Sequence, residues 1–389
     1  MRRLGLGPAD LRTPADLARL PLLEREQLQA DPEYFTSNAC PLAEYGEVRT
    51  SGSTGAPIVF FRHVRGAYQR SLGFDRMDPM LTRILGTRWR RRDAVIVPPR
   101  NSRTEDDGLP QVQWLGLHLR ARVRTFSLFD PPAEIAHELD VFRPHLVKSY
   151  GSLIEALYSH VLSERRSFHR PRAISYTGDH ISEPVRRILR DELGIAVLGV
   201  YQAVEAGVIG WQCERQAAYH LNGDLCPIRI VDPEGREAAL GETGEVVVSN
   251  LVNRGTVVLN YRLGDLAARL PEGCGCGRSL PLLSDVQGRR TDWLESSSGH
   301  PVHPQMFRTI LRSVNGVRRF QLVQDVPGEV RVVIVIAPDA ARDSIRSRIT
   351  DDLRRLDASL HVEVEFAQSL PRSEGGKIPV TRTSGAVAK

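Results

Sequence analysis

No apolar run in this 389-residue chain approaches the roughly 18 residues that a membrane helix requires, so the sequence predicts a soluble protein with no membrane partner. The opening Met1-Arg2-Arg3-Leu4-Gly5-Leu6-Gly7-Pro8 carries basic side chains but no apolar stretch of signal-peptide length, which makes the cytoplasm the expected compartment. Cysteine is scarce. Five residues, unevenly spaced, are too few for a disulfide framework in a chain of this length and read as free thiols or metal ligands. A large excess of one charge is also lacking: 52 Lys and Arg stand against 47 Asp and Glu, a net charge of +5 that favours anionic ligands mildly without demanding nucleic acid. The densest basic cluster, Arg88, Arg90, Arg91 and Arg92, reads as solvated surface, and no nucleic-acid partner is expected.

What is present is an ordinary globular composition, 41% hydrophobic and 25% charged, in a chain long enough for two or three domains. Residues 9–30 carry helix-start signals and predict short polar helices. From about 45 to 285, short apolar strands alternate with amphipathic helices, as in Ala94–Val97, Leu146–Tyr150, Ala173–Tyr176 and Ala196–Val200. That alternation is an α/β signature. Beyond Val200 the texture shifts to strands punctuated by turns, including Ile228–Val231 and Gly244–Val248, which predicts a β-rich subdomain over about 205–285. After Gly288 the pattern becomes a small α+β unit: a helix near 304–314, strands around 319–337, a helix from about 341 to 356 and a strand near 361–366. The expected division is therefore 1–288 for a large α/β domain and 289–389 for a small C-terminal one.

One segment is built for an anion. Arg49-Thr50-Ser51-Gly52-Ser53-Thr54-Gly55-Ala56-Pro57 packs two glycines and four hydroxyl residues ahead of the strand-like Ile58–Phe61. Glycines allow close backbone approach to phosphate, and backbone amides with the hydroxyls of Thr50, Ser51, Ser53 and Thr54 supply donors. A flexible turn is the alternative from composition alone. The common mononucleotide loop is excluded, because that needs a lysine after the last glycine and a helix behind it.

The segment resembles the [ST]-S-G-[ST]-T-G-x-P signature of the adenylate-forming superfamily, and further elements follow in the family order. Tyr176-Thr177-Gly178-Asp179 is similar to the Gly-Gly-Glu-like turn, Tyr201-Gln202-Ala203-Val204-Glu205 to Tyr-Gly-x-[ST]-Glu, and Tyr261-Arg262-Leu263-Gly264-Asp265 to Tyr-Arg-[ST]-Gly-Asp. Gln287-Gly288-Arg289-Arg290-Thr291-Asp292 is similar to the hinge motif, and Pro371-Arg372-Ser373-Glu374-Gly375-Gly376-Lys377 to the late lysine loop. The resemblance spans about 45–382 and points to the phenylacetate-CoA ligase-like and capsule-biosynthesis (CapK-like) branch. It implies a large nucleotide-binding α/β domain with a mobile α+β lid, and an enzyme that uses ATP and Mg2+ to activate a carboxylic acid as an acyl-adenylate.

Roles carry over by motif. The resemblance implies Thr50–Gly55, Gly178, Asp179 and Gln202 around the nucleotide, Tyr201 on adenine, Asp265 on the ribose hydroxyls and Arg289 reaching the nucleotide. Glu205 would hold Mg2+, a hard cation suited to carboxylate oxygen, and Lys377 would neutralise charge as the carboxylate attacks the α-phosphorus. The sequence departs from the family at Gln202, where glycine is usual, and at Val204, where a hydroxyl is usual. Weakened ATP use, or a nucleotide binder without catalysis, is the competing reading. The hinge pivot falls on Thr291 or Asp292. Coenzyme A is the expected acceptor, approached by a second face of the lid that includes Gly299; an amine, a carrier-protein thiol or another nitrogen nucleophile is the alternative. The acid pocket is placed near Gln113–His118 and Ser149–Ser152. The upstream helical portion is short for this branch, which bears on the pocket or on a dimer surface, and a homodimer is among the expected states.

Cys213, His220, Cys274 and Cys276 offer thiolates and an imidazole, the usual zinc donors. Their spacing is not the standard C-x2-C pair, so from the residues alone they are either ligands or packed thiols. CapK-like relatives carry a similar Cys, His and Cys-x-Cys-Gly-Arg set, which implies structural Zn2+; Cys40 and Cys226 lie outside that set and read as packed thiols.

Overall fold

The computed structural model describes residues 5–39, 41–49, 58–63, 73–87, 89–97, 121–164, 167–288, 294–295, 297, 301–302, 307, 310–311, 314–356, 360–371 and 380–383. It divides into two compact units, Met1–Leu263 with Ala267–Val286, and Gly264–Leu266 with Gln287–Lys389.

The large unit begins with short helical turns at Pro8–Asp10 and Pro14–Arg19, helix α1 (Arg25–Ala30), and the hairpin of β1 (Gly46–Arg49) and β2 (Val59–Arg62). There follow α2 (Asp78–Leu85), β3 (Arg91–Val97), β4 (Ala121–Ser127), α3 (Pro132–Phe142), β5 (Leu146–Tyr150), α4 (Gly151–Ser163), β6 (Ala173–Thr177), α5 (Glu183–Arg187), β7 (Ala196–Ala203), β8 (Gly207–Gln212) and β9 (Tyr219–Leu221). The last strands are β10 (Ile228–Val231), β11 (Thr243–Val248), β12 (Tyr261–Leu270) and β13 (Leu282–Leu283). Eleven strands form one sheet in the order β10-β11-β12-β13-β9-β8-β7-β6-β5-β3-β4. The side from β7 to β4 is parallel, and the ladder turns antiparallel from β7 to β8 onward. This is the expected α/β fold with a β-rich flank.

Helix spacing explains how the sheet is covered. Ile135, Ala136, Leu139 and Phe142 of α3, and Ile154, Leu157, Tyr158 and Val161 of α4, recur every three or four residues and are buried against Ala94, Ile96, Val147, Ile174 and Val197. Helix α3 starts with Pro132 in its first turn and ends at Arg143 in the left-handed region ahead of Pro144. On the opposite sheet face, Met80, Leu81 and Leu85 of α2 pack with Leu146, Ala173, Leu198, Val200 and Trp211. The helix expected over Glu183–Leu193 is shorter as an α-helix: after Arg187 the chain continues through a π-helical turn, Ile188–Glu192.

The arginine run departs from the expected solvated patch. Arg91 is buried, and its guanidinium donates to both carboxylate oxygens of Asp93 at 2.8 and 3.0 Å, with Lys148 Nζ 3.2 Å from the same carboxylate. A buried carboxylate requires such partners, and Arg91 supplies them. Arg90 is exposed, Arg92 bonds the Arg143 carbonyl at 2.8 Å, and Arg88 lies outside the described residues.

The small unit contains β14 (Leu294–Glu295) paired with β15 (Pro301–Val302), then β16 (Val317–Val326), β17 (Glu329–Ile336), α6 (Arg342–Leu356), β18 (His361–Phe366) and β19 (Thr381–Thr383). Its four-stranded sheet runs β18-β17-β16-β19. Ile345, Ile349 and Leu353 place an i, i+4, i+8 stripe of α6 on Val330, Val332 and Ile334. The helix expected near 304–314 falls largely outside the described residues.

Ile154 is fully buried between α4 and the sheet. Ile154→Ala is expected to destabilise the large unit by about 2–5 kcal/mol, measured as a lower urea midpoint in circular dichroism; an unchanged midpoint would contradict the packing described.

Candidate functional site

Strands β6 and β7 are parallel neighbours, with Tyr176 opposite Gly199 and Thr177 opposite Val200. Their ends therefore bring the Gly178-Asp179 turn and the Tyr201–Glu205 turn side by side, at the carboxyl edge where open α/β sheets bind ligands. Gly178 has a φ of 80°, a conformation that a side chain would strain.

Asp179 is committed structurally. Its carboxylate accepts the Ser152 backbone N–H at 2.9 Å and the Ser152 hydroxyl at 2.5 Å, which caps the first turn of α4 from a distant segment. Glu155, on the same turn, accepts the Ser182 N–H at 2.8 Å. Two carboxylates thus lock 179–182 to α4 in opposite directions, and Ser152, of the expected acid pocket, meets the Gly178-Asp179 turn here. Ser149 itself donates to the Ile96 carbonyl at 2.8 Å.

Tyr201 is buried, with its ring edge-on to Tyr219 at a centroid distance of 6.1 Å. The β7–β8 ladder slips at this point: Tyr201 pairs with Gly210 and Gln202 with Val208, so Ile209 is left over in β8. Such a bulge ends regular pairing and redirects the chain. Gln202 is exposed beyond it, while Glu205 is buried. The backbone of this turn is held by two residues that no motif singled out. Arg62 Nη2 donates to the Val204 carbonyl at 3.1 Å and Asn250 Nδ2 to the Glu205 carbonyl at 2.9 Å. A buried, sequence-isolated Asn and a strand Arg carry no local signal of that task. Asp265 is buried in β12, within the stretch Gly264–Leu266 that groups with the second unit. Thr50, Ser51, Gly52, Ser53, Thr54, Gly55, Gln113–His118, Arg289, Thr291, Asp292, Gly299 and Lys377 lie outside the described residues, as does Cys40.

A second cluster forms on the opposite sheet face. The ligand atoms of Cys213, His220, Cys274 and Cys276 all lie within 4.8 Å of one another. Cys213 Sγ and Cys274 Sγ are 3.7 Å apart, and His220 Nε2 is 3.1 Å from Cys274 Sγ and 3.5 Å from Cys276 Sγ. A tetrahedral site with Zn–S arms of ~2.3 Å has S···S edges of about 3.8 Å, so the donors are spaced as metal ligands would be. Burial and the nearby Arg278 hold the His220 imidazole below its ordinary pKa, hence neutral and able to ligate. Burial opposes ionisation of Cys276, but hydrogen bonds from Cys274 and Arg278 bring its thiol down to about 7, while burial pushes Cys274 up to about 12. Trp211 stacks at a tilt on His220, 5.3 Å between centroids, and Arg278 lies over Trp211 while donating to Glu214 at 2.8 Å. Cys226 is apart from this cluster, fully buried with its thiol pushed up to about 12 by burial. This cluster of thiols and imidazole can hold a metal ion.

Comparisons with known proteins bear on the fold. A structure of 2-hydroxyisobutyryl-CoA ligase in the postadenylation state in complex with 2-HIB-AMP matches with a TM-score of 0.77 at 17% identity, covering 98% of this chain and 84% of that one. The fold is that of the adenylate-forming enzymes. ATP-bound MatB from Rhodopseudomonas palustris matches with a TM-score of 0.60 at 18% identity over 85% of this chain and 66% of that one. The amide bond synthetase McbA from Marinactinospora thermotolerans matches with a TM-score of 0.62 at 17% identity over 88% and 70%. Residues 294–383 match the CapK C-terminal domain family. No curated protein matches the chain. Among the described residues, no helix is long and apolar enough to cross a membrane.

Asp179→Ala would leave the Ser152 N–H and hydroxyl without their acceptor in a buried turn, a loss of about 1–3 kcal/mol. Thermal unfolding of the protein without nucleotide should register it, and an unchanged melting temperature would mean that Asp179 is not the cap of α4.

Proposed function

We propose that this protein activates a carboxylic acid with ATP and Mg2+ as an acyl-adenylate and then passes the acyl group to a nucleophile, with coenzyme A the first candidate. The observation that carries the reading is the adjacency of the Gly178-Asp179 and Tyr201–Glu205 turns at the ends of β6 and β7, in an adenylate-forming fold. In this reading Tyr201 stacks on adenine. Gly178, with no side chain, lets the backbone come close to the nucleotide, and Gln202 at the mouth of the turn touches it at the position where relatives have glycine. The Asp179 carboxylate, already used by Ser152, contributes as a support of the turn.

The loop Thr50–Gly55 would donate to the phosphates, Asp265 would accept from the ribose hydroxyls and Arg289 would reach the nucleotide. Glu205 would hold Mg2+, which supplies charge neutralisation at the phosphates. The Lys377 ammonium would balance the negative charge that builds as the carboxylate oxygen bonds to the α-phosphorus and the bond to pyrophosphate breaks. In the second half-reaction the acceptor attacks the acyl carbon and AMP leaves with the bonding pair. Residues 1–288 would form the AMP-binding domain and 289–389 the lid, whose movement would remove Lys377 and admit the acceptor. An amine acceptor is the second reading, supported by the likeness to an amide bond synthetase. The work would take place in the cytoplasm, with the protein alone or as a homodimer.

Cys213, His220, Cys274 and Cys276 fit Zn2+, which as a structural ion would cross-link β9, the loop after β8 and the turn between β12 and β13. The purified protein should contain about one zinc per chain by elemental analysis, reduced in Cys276→Ser and in His220→Ala; no zinc in wild type would remove the assignment.

The reading as a whole is tested by pyrophosphate release from ATP and Mg2+ across a panel of aromatic, aliphatic and amino-acid carboxylates. Release with a particular acid, falling about 100-fold or more in Lys377→Ala, is the expected result, on the scale of losing one charge-stabilising group. Silence across the panel with intact ATP binding would instead favour the nucleotide binder without catalysis that Gln202 and Val204 raise.

A further inference from the structure

Behind Tyr201 lies a buried polar ring that the chemistry above does not use. The Tyr219 hydroxyl lies against the backbone of Gly199, where an added Cβ would sit 2.4 Å from it, and it donates to the Tyr176 hydroxyl. Tyr176 also accepts from Arg186 Nη2 at 2.5 Å. The Arg186 guanidinium lies over the Tyr176 ring, 5.6 Å from its centroid, and its Nη1 is 3.3 Å from an Asp285 oxygen. The other oxygen of Asp285 accepts from Gln212 Nε2 at 2.9 Å, and Gln212 Oε1 accepts the Gly199 N–H at 2.9 Å. The circuit therefore returns to Gly199, two residues before Tyr201. It joins β6, α5, β7, β8, β9 and the segment after β13, and Arg186, Tyr176, Gln212 and Tyr219 are all buried.

Burying a guanidinium and two phenols adds little stability over an apolar cluster of equal volume, because desolvation offsets the new contacts. What such a circuit supplies is geometry, since its hydrogen bonds are directional and link six segments of the chain. The geometry it fixes is local to the candidate nucleotide site. Tyr219 meets Tyr201 at an interplanar angle of 63°, and Tyr176 is two residues before Gly178.

We propose that Tyr219, Arg186 and Asp285 are positioning residues for adenine nucleotide binding. They hold the ring plane of Tyr201 and set its distance from the Gly178 turn, so that a purine has one flat slot to enter. Gly199 is part of the device, since any side chain there would displace the Tyr219 hydroxyl. This inference rests on the reading of Tyr201 as the adenine-stacking residue.

The test is titration calorimetry of ATP with Mg2+ into the full chain, comparing wild type with Tyr219→Phe, Asp285→Ala and Asp285→Asn. Tyr158→Phe serves as the control, because that buried phenol sits in α4 and has no part in the circuit. Asp285 has a side chain 48% exposed, so water can reach the Arg186 edge that its replacement uncovers, and circular dichroism of each variant checks that the fold is kept. The expected result is a Kd raised about tenfold in Tyr219→Phe and in Asp285→Ala, the scale of one lost hydrogen bond. Asp285→Asn, which keeps an oxygen for Gln212, should recover part of it, and Tyr158→Phe should bind as wild type does. Wild-type affinity in both Tyr219→Phe and Asp285→Ala would overturn the positioning role and leave the nucleotide reading standing. An equal loss in Tyr158→Phe would also overturn it, as general loosening of the core. Absence of ATP binding by wild type would bring down the proposed function and this inference with it.

Discussion

The parallel pairing of β6 with β7 is the constraint from which the rest of the candidate site follows. It fixes Thr177 beside Val200, so the two turns that leave these strands emerge as neighbours whatever their own sequences prefer. Parallel strands have to be buried on both faces, and the helices α3 and α4 on one side with α2 on the other meet that demand. The turns can then carry polar residues, with Gly178 and Gln202 exposed, because the strands beneath them are anchored by apolar packing. Asp179 and Glu155 are the clearest sign of how the two layers are joined, Asp179 accepting from Ser152 of α4 and Glu155 of α4 accepting from Ser182 beyond the turn.

Much of this was legible in the sequence because it is periodic or local. Strands β5, β6 and β10 begin where the apolar runs begin, and α6 has its predicted limits to within a residue because Ile345, Ile349 and Leu353 repeat at helical spacing. Four potential metal donors could be named before they were seen together, since Cys-Gly-Cys is a recognisable pattern and the resemblance supplied the partners. What escaped was long-range and polar. Nothing near Arg62 or Asn250 tells that each will hold the carbonyl of a turn more than forty residues away in the chain. Arg91 looked like one of several surface arginines, yet the fully buried Asp93 two residues on claims it. The π-helical turn at Ile188–Glu192 likewise adds a residue to a helix that sequence periodicity draws as regular.

Two polar clusters sit on opposite faces of the sheet where its parallel and antiparallel parts meet, and answer different physical demands. The thiol and imidazole group is soft, compact and suited to a cation. The circuit through Tyr176, Arg186, Asp285, Gln212 and Tyr219 pairs its one guanidinium with a carboxylate and is closed by side chains of this chain. Both depend on the leftover residue Ile209 in β8. That bulge resets the alternation, so that Trp211 and Cys213 share the face of Val208 while Gln212 points to the other side.

Strand β9 shows what this arrangement demands of folding fidelity. It is three residues long, paired on both edges, with Tyr219 opposite Gln212 and His220 opposite Trp211. Because side chains alternate, a slip by one position would exchange the phenol and the imidazole between faces. So short a ladder has little backbone pairing with which to resist that error. Its correct alignment is instead read twice, by two unlike sets of partners, and a misthreaded chain would fail both readings at once. The strand thus works as a proofreading mark, discriminating the native alignment from its nearest neighbours by chemistry rather than by length.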